Sequence, residues 1–333
     1  MAKKPYSILK YLLSLLVAGL LLWLAFRNVD WKEFLLSVRS TRWGFILLSL
    51  LAGVVALVFR VERWRLQLAA VDPEIGRERI WHGSNIGNFL SLVIPGIGEF
   101  YRCAHVSTKK CGYDRTFGTI LLERSWDVLA IALLLFVALW TDFGALLPFF
   151  RSEIAEPLSA RLDMSLWWIA ASVLALASAA LVLVFRFRER SALCRKCAEL
   201  VSGVAGGIAS FGRMRCKWLF LLCTVGIWAS YVVVTYCTFL AIPALSGLGF
   251  GDAVFISAVG NIASVIPTPG NLGPYHYLVG TAISTIYLGG AGMGESLLCA
   301  TLSHGSHALL VCVLGLWSYV ATAVRARQGV KEG

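Results

Sequence analysis

The chain has 333 residues, 58% of them hydrophobic and 15% charged, with a mean hydropathy of +0.74. That is too apolar for a water-soluble protein, and the long uncharged runs indicate an integral membrane protein with no soluble catalytic domain. The formal charge of +11 does not signal nucleic acid, because the basic residues flank the apolar runs, where they fix orientation and meet anionic headgroups.

Lys3, Lys4 and Lys10 lead into a first apolar run, 12–26, which ends in Phe26-Arg27-Asn28. A signal peptide has a shorter apolar core and a small-residue cleavage site, so this run reads as an uncleaved span. Residues 29–42 mix Trp31, Phe34, Leu35 and Val38 with Lys32, Glu33 and Arg39, the pattern of a short amphipathic interfacial helix. A second span covers 43–59. Arg60, Arg63 and Arg65 follow, with Glu62 and Trp64 among them. They read as positive anchoring at the membrane face or as a cluster that meets lipid headgroups.

Residues 85–102 read NIGNFLSLVIPGIGEFYR. The apolar run from Phe89 to Ile94 is far short of the roughly 20 residues that span a bilayer. Pro95-Gly96 breaks it, because proline removes a backbone donor and glycine loosens the turn. Gly98, Glu99 and Arg102 come directly after. The stretch reads as a broken or re-entrant element that sets a carboxylate and a guanidinium inside the membrane zone.

The third span, 117–140, opens near ILLERSWD. Glu123 and Asp127 are four apart and share one helix face, with Arg124 beside them. Such charges are costly in a membrane helix unless paired or facing a polar cavity. A salt bridge to Arg60 or Arg102 and a substrate or proton role both remain open. A net acidic stretch, 141–163, leads to a fourth span at 166–185 and a basic loop with Arg186, Arg188, Arg190, Arg195 and Lys196. Cys194 and Cys197 form a lone CxxC with no second ligand pair, which reads as free thiols rather than a zinc site.

A fifth span covers 218–240 and a last one 296–320. Between them, half-length helices at 252–266 and 275–288 flank a second break, GNIASVIPTPGNLG, at 260–273. It parallels the first. Gly87-Asn88 and Gly260-Asn261 open the two copies, Ser91 and Ser264 follow three residues after the asparagines, and each copy reaches Ile-Pro and then glycine. Pro267, Pro269, Gly270, Asn271 and Gly273 make up the second break. Paired interrupted segments of this kind point to an inverted repeat, with half-units at about 43–140 and 218–321, and to a transporter-like site. Asn88 and Asn261 would hydrogen-bond the broken backbone or touch substrate directly.

The expected architecture is all-helical and polytopic, with six full spans and two broken elements. The basic segments put both termini in the cytoplasm, although residues 27–42 fit that arrangement poorly. His276 could titrate near physiological pH, and His304 and His307 lie three apart on the last span. Proton relay or headgroup hydrogen bonding suits these histidines better than zinc. There is no GxGxxG, P-loop, HExxH or DxD pair, which weighs against an enzyme but leaves an intramembrane one open, and no metal or cofactor is expected.

The motifs NFLSLVIPGIGEFYR, ILLERSWD and IPTPGNLGPYHY, with RVERWR after the second span, resemble the flippase-like membrane domain of lysylphosphatidylglycerol synthases. The resemblance covers most of the chain in order. It implies a multi-pass protein of a bacterial or archaeal cell membrane that moves or handles lipids, acting alone or beside a separately encoded lipid-modifying enzyme. By motif match, Glu99, Arg102, Glu123, Arg124, Asp127 and the loop at 267–273 would be the functional positions. Ile97 and Tyr275-His276 depart from the family pattern, where members often carry an arginine and a glutamate. No aminoacyltransferase domain follows, so the chain is not expected to make lysylphosphatidylglycerol itself. The leading expectation is translocation of a lipid with a phosphate-containing headgroup. Arg60, Arg102 and Arg124 would meet phosphate bidentately, Glu99, Glu123 and Asp127 would hold those arginines or carry a coupling proton, and the Pro/Gly breaks would gate. An intramembrane enzyme or accessory factor for polyprenyl-phosphate-linked sugars, and a small-molecule or ion transporter, are the alternatives.

Overall fold

The computed structural model describes residues 4–27, 29–141, 216–286 and 292–331, with isolated positions between 183 and 195. The fourth span, the loops on either side of it and the CxxC lie outside the described residues. Among the described residues, ten α-helices follow in order: α1 (Lys4–Phe26), α2 (Trp31–Ser40), α3 (Trp43–Ala69), α4 (Arg77–Val93), α5 (Ile97–Val106), α6 (Tyr113–Thr141), α7 (Lys217–Ala241), α8 (Phe250–Ile262), α9 (Pro274–Ile286) and α10 (Met293–Lys331). No strand occurs among the described residues. Among the described residues, three helices are long and apolar enough to cross a membrane, over Trp43–Ala69, Lys217–Ala241 and Met293–Arg325. Their exposed faces carry large apolar side chains, among them Leu47, Leu51, Leu222, Val225, Leu309 and Val313, as lipid-facing surfaces do.

The helices differ from the sequence expectation mainly at their ends. Helix α3 does not stop at residue 59 but continues to Ala69. Arginine and glutamate are good helix formers, so RVERWR extends the span. Helix α8 stops at Ile262, short of the expected 266, and passes into a 3₁₀ turn at Ala263–Val265. Both breaks have the same local cause. Ile94 and Ile266 are extended, with ψ 113° and 112°, because each precedes a proline whose ring disfavours helical backbone there. The chain then turns through left-handed positions, Gly96 at φ 79° in the first break and Gly270, Asn271 and Gly273 at φ 55°, 64° and 90° in the second. Asparagine tolerates that region better than most side chains do.

The first broken element is a hairpin of helices. Arg79, near the start of α4, donates to the carbonyls of His105 and Ser107 at 2.7 and 3.0 Å, at the end of α5. Near the tip the two backbones touch, since a Cβ on Gly98 would stand 2.1 Å from the Gly87 carbonyl oxygen. The element therefore enters and returns on one side. In the second element Gly260 lies under the Tyr275 ring, which a Cβ would meet at 2.6 Å.

The two breaks touch each other at half-buried positions. Gly270 lies against the backbone of Leu92, and Gly273 against that of Ala18 on α1. Helix α10 closes over the first hairpin, with Gly315 against Phe89. Helix α7 runs antiparallel to α3, with the Arg42 amide donating to the Ala241 carbonyl at 2.8 Å and Phe59 seated on Gly226. Lipid tails are as apolar as these side chains, so close packing at small residues, rather than escape from water, holds the helices together. One apolar cluster (Trp64, Leu68, Ile80, Ile120) lies under the first hairpin, and another (Phe239, Phe255, Ile283, Leu298) under the second break.

Candidate functional site

The extension of α3 decides the site. Arg60, Arg63 and Trp64 fall at i, i+3 and i+4, one face of a helix. That face meets α5 and α6. Glu62 and Arg65 pair with each other elsewhere on the helix. The order of α5 brings Glu99 and Arg102 to the same place, and that of α6 brings Glu123, Arg124 and Asp127.

Glu123 is the hub. It is fully buried, and Oε1 accepts from Arg60 Nε at 3.1 Å and lies 3.7 Å from Arg63 Nη2. Its Oε2 accepts from Arg102 Nη2 at 2.7 Å. Asp127 Oδ1 accepts from Arg63 Nη2 at 2.6 Å, and Oδ2 lies 3.6 Å from Arg60 and 3.7 Å from Arg124. Arg124 Nη2 donates to Glu99 Oε1 at 2.8 Å. The Arg102 guanidinium also stacks over Trp64 at 4.1 Å, and Trp64 Nε1 donates to Thr119 at 2.9 Å. Cation–π contact and hydrogen bonds thus hold the guanidinium in its buried setting.

Among the described residues, four guanidinium groups face three carboxylates here, and they divide by access. The side chains of Arg63 and Arg102 are 0% and 4% exposed, whereas those of Arg60 and Arg124 are 20% and 46% exposed. Arg60 also donates through Nη1 to the Tyr231 hydroxyl at 3.2 Å. Phe59 is level with Gly226, so this reach runs toward the Ala241 end of α7 and away from the Ala69 end of α3. A membrane arginine ordinarily extends toward the nearer interface; Arg60 points inward.

His276 does not join this cluster. It packs against Phe26 and His304, with ring centroids 6.2 and 5.1 Å apart. His304 Nε2 donates to the Gly270 carbonyl at 2.7 Å and so grips the second break. Tyr275 shares a hydrogen bond with Ser303 at 3.1 Å. His307 lies one turn along α10. Asn261 donates to the Ser257 carbonyl at 2.8 Å, inside its own helix and not across the break. Asn88 is half-buried on α4. Pro95 and Gly96 form the first tip, while Pro267, Pro269 and Asn271 shape the second. Among the described residues no group of three His, Cys, Asp or Glu side chains is gathered to hold a metal ion.

At the open end of the first hairpin, Asp72 accepts from Thr108 Oγ1 at 2.6 Å and Lys110 pairs with Glu74 at 2.8 Å. The Thr108 hydroxyl holds the Asp72 carboxyl below its ordinary value. These contacts tie the two connections that flank the hairpin and keep its legs together.

The sequence alone does not separate Arg63 from the other basic residues after the second span, although the i, i+3 spacing of Arg60 and Arg63, with Trp64, marks a shared face. Tyr231 has no signal in the sequence, since α7 carries no charge after Lys217 and its hydroxyl is one of several there.

No curated protein and no solved structure matches the chain. The family model described as "Lysylphosphatidylglycerol synthase TM region" matches residues 11–315. That match takes in both broken elements and every member of the arginine–carboxylate cluster, and the chain belongs to the family of lysylphosphatidylglycerol synthase transmembrane regions.

Proposed function

We propose that the protein translocates a phosphate-headed lipid between the leaflets of a bacterial or archaeal cell membrane. The observation that carries this reading is the excess of guanidinium over carboxylate inside an apolar helical body, with Arg60 and Arg124 left partly open. Uncompensated positive charge in a low-dielectric setting favours an anion strongly, and guanidinium meets phosphate oxygens in pairs. Membership in a family of membrane proteins tied to lipid synthesis supports a lipid over a soluble anion.

The surroundings of Arg124 support the same choice. Its neighbours on α6, Leu121 and Val128, and Ile97 and Phe100 on α5 are exposed apolar side chains. A headgroup could lie on the arginine from the side while acyl chains stay in the bilayer. The two breaks, touching at Leu92 and Gly270, would form the barrier between leaflets. In this reading the half-units form an inverted repeat, both termini are cytoplasmic, and the first hairpin enters from the cytoplasmic face. The partner is an anionic phospholipid or a lipid-linked phosphate, delivered or consumed by a separately encoded lipid-modifying enzyme.

The test is Arg124→Gln in reconstituted vesicles. Arg124 is the most exposed of the four arginines, so the variant should fold. Its rate of leaflet exchange should fall at least about tenfold, which corresponds to loss of one charge-assisted hydrogen bond of roughly 1.5–3 kcal/mol. An unchanged rate would remove Arg124 from the mechanism.

A further inference from the structure

The carboxylates of the cluster are unequally committed. Both oxygens of Glu123 and both of Asp127 meet guanidinium groups, and each of these carboxylates bridges three arginines. Glu99 has one partner, Arg124, and its Oε2 is buried without a hydrogen-bond partner among the described residues. Glu99 is also the carboxylate carried by the hairpin. It sits in the first turn of α5, three residues beyond the left-handed Gly96, while Glu123 and Asp127 belong to the long helix α6. The Glu99–Arg124 pair, with side chains 27% and 46% exposed, is more open than the Arg124–Asp127 pair, where Asp127 is 15% exposed.

We infer that Glu99 is a built-in stand-in for the ligand, covering the face of Arg124 that phosphate takes, and that the phosphate displacing it is a dianion: a lipid phosphomonoester or diphosphate. This rests on the translocation reading and names the headgroup class of that same site. With Glu99 in place the cluster has four guanidinium groups against three carboxylates. With Glu99 displaced, four face two, an excess of two positive charges. A phosphodiester, with one negative charge, would only restore the excess of one that Glu99 already leaves, and so gains no charge balance over the carboxylate it displaces. A phosphomonoester, with a charge of about −1.5 to −2 at pH 7, closes the balance. The displaced carboxylate is not stranded, because the first turn of α5 offers unpaired amide groups and the positive end of the helix dipole. Occupancy of Arg124 by phosphate therefore releases the only ion pair through which α5 holds the exposed part of α6 among the described residues, and it frees the hairpin tip that touches the second break.

The inference separates affinity from transport. Removing the stand-in should strengthen binding while stopping the cycle, because nothing then expels the phosphate. Purified protein in neutral detergent would be titrated with short-chain phosphatidic acid, short-chain phosphatidylglycerol and inorganic phosphate, and binding read from the unfolding midpoint. Glu99→Gln should bind phosphatidic acid about tenfold more tightly than the unsubstituted protein, as expected for loss of a competing charge. Phosphatidic acid should bind more tightly than phosphatidylglycerol in both, and inorganic phosphate more weakly than either lipid. Equal or weaker binding in Glu99→Gln would overturn the stand-in role, and phosphatidylglycerol binding as well as phosphatidic acid would overturn the dianion. Inorganic phosphate binding as well as the lipids would overturn the lipid source. If Glu99→Gln and Glu99→Ala both fail to fold, Glu99 is a structural counter-ion and the inference falls. Failure of both proteins to bind any phosphate compound would sink the translocation reading along with it.

Discussion

Glu123 illustrates why charges can lie inside this membrane protein. A lone carboxylate there would cost several kcal/mol, but each of its oxygens meets guanidinium groups from α3 or α5. The same logic runs in reverse for the arginines. Arg63 and Arg102 are sealed, and they depend on Glu123 and Asp127 for compensation. Replacing Glu123 with glutamine keeps the volume and removes the charge. The expected loss is about 3–5 kcal/mol, seen as a lower unfolding midpoint in detergent. A midpoint equal to that of the unsubstituted protein would show that the hub is not needed for compensation. At this scale the sequence was informative about acids and less so about bases. Glu123 and Asp127 stood out because they interrupt an apolar run. Arg63 did not, because it lies in a basic segment at the end of a span, where anchoring explains arginine equally well. Only the continuation of α3 to Ala69 turns Arg63 inward.

At the scale of elements, the hairpin of α4 and α5 depends on backbone contact that only glycine allows. A Cβ on Gly98 would overlap the Gly87 carbonyl, and one on Gly87 would stand 2.7 Å from the Arg102 side chain. Gly98→Ala should therefore separate the two legs and move Arg102 away from Glu123. It should lower the unfolding midpoint and increase protease access at residues 94–98, whereas Gly96→Asn, which keeps a left-handed residue at the tip, should be milder. Equal behaviour of the two variants would contradict the packing described here. Both breaks were legible in the sequence, since Ile-Pro with glycine close behind dictates them locally. Their meeting at Leu92 and Gly270 was not, because contact between residues far apart along the chain leaves no local pattern. The place of His276 was hidden for the same reason. It faces α1 and α10 instead of the charged cluster.

On the scale of the whole molecule, two features combine. An arginine-rich cluster lies under the first hairpin, and two interrupted elements meet at Leu92 and Gly270. A lipid translocase needs both, since the headgroup must find charge inside the membrane and the backbone around it must be able to rearrange. The measurement that tests this most directly is leaflet exchange in sealed proteoliposomes. Chain-labelled phosphatidic acid, phosphatidylglycerol and a neutral glycolipid would be placed in both leaflets and exposed to an impermeant quencher. The account predicts protein-dependent loss of inner-leaflet protection for the phosphate-bearing lipids, most of all phosphatidic acid, with the glycolipid still protected. Protection of every phosphate lipid in vesicles holding folded protein, or equal exposure of the neutral one, would contradict it.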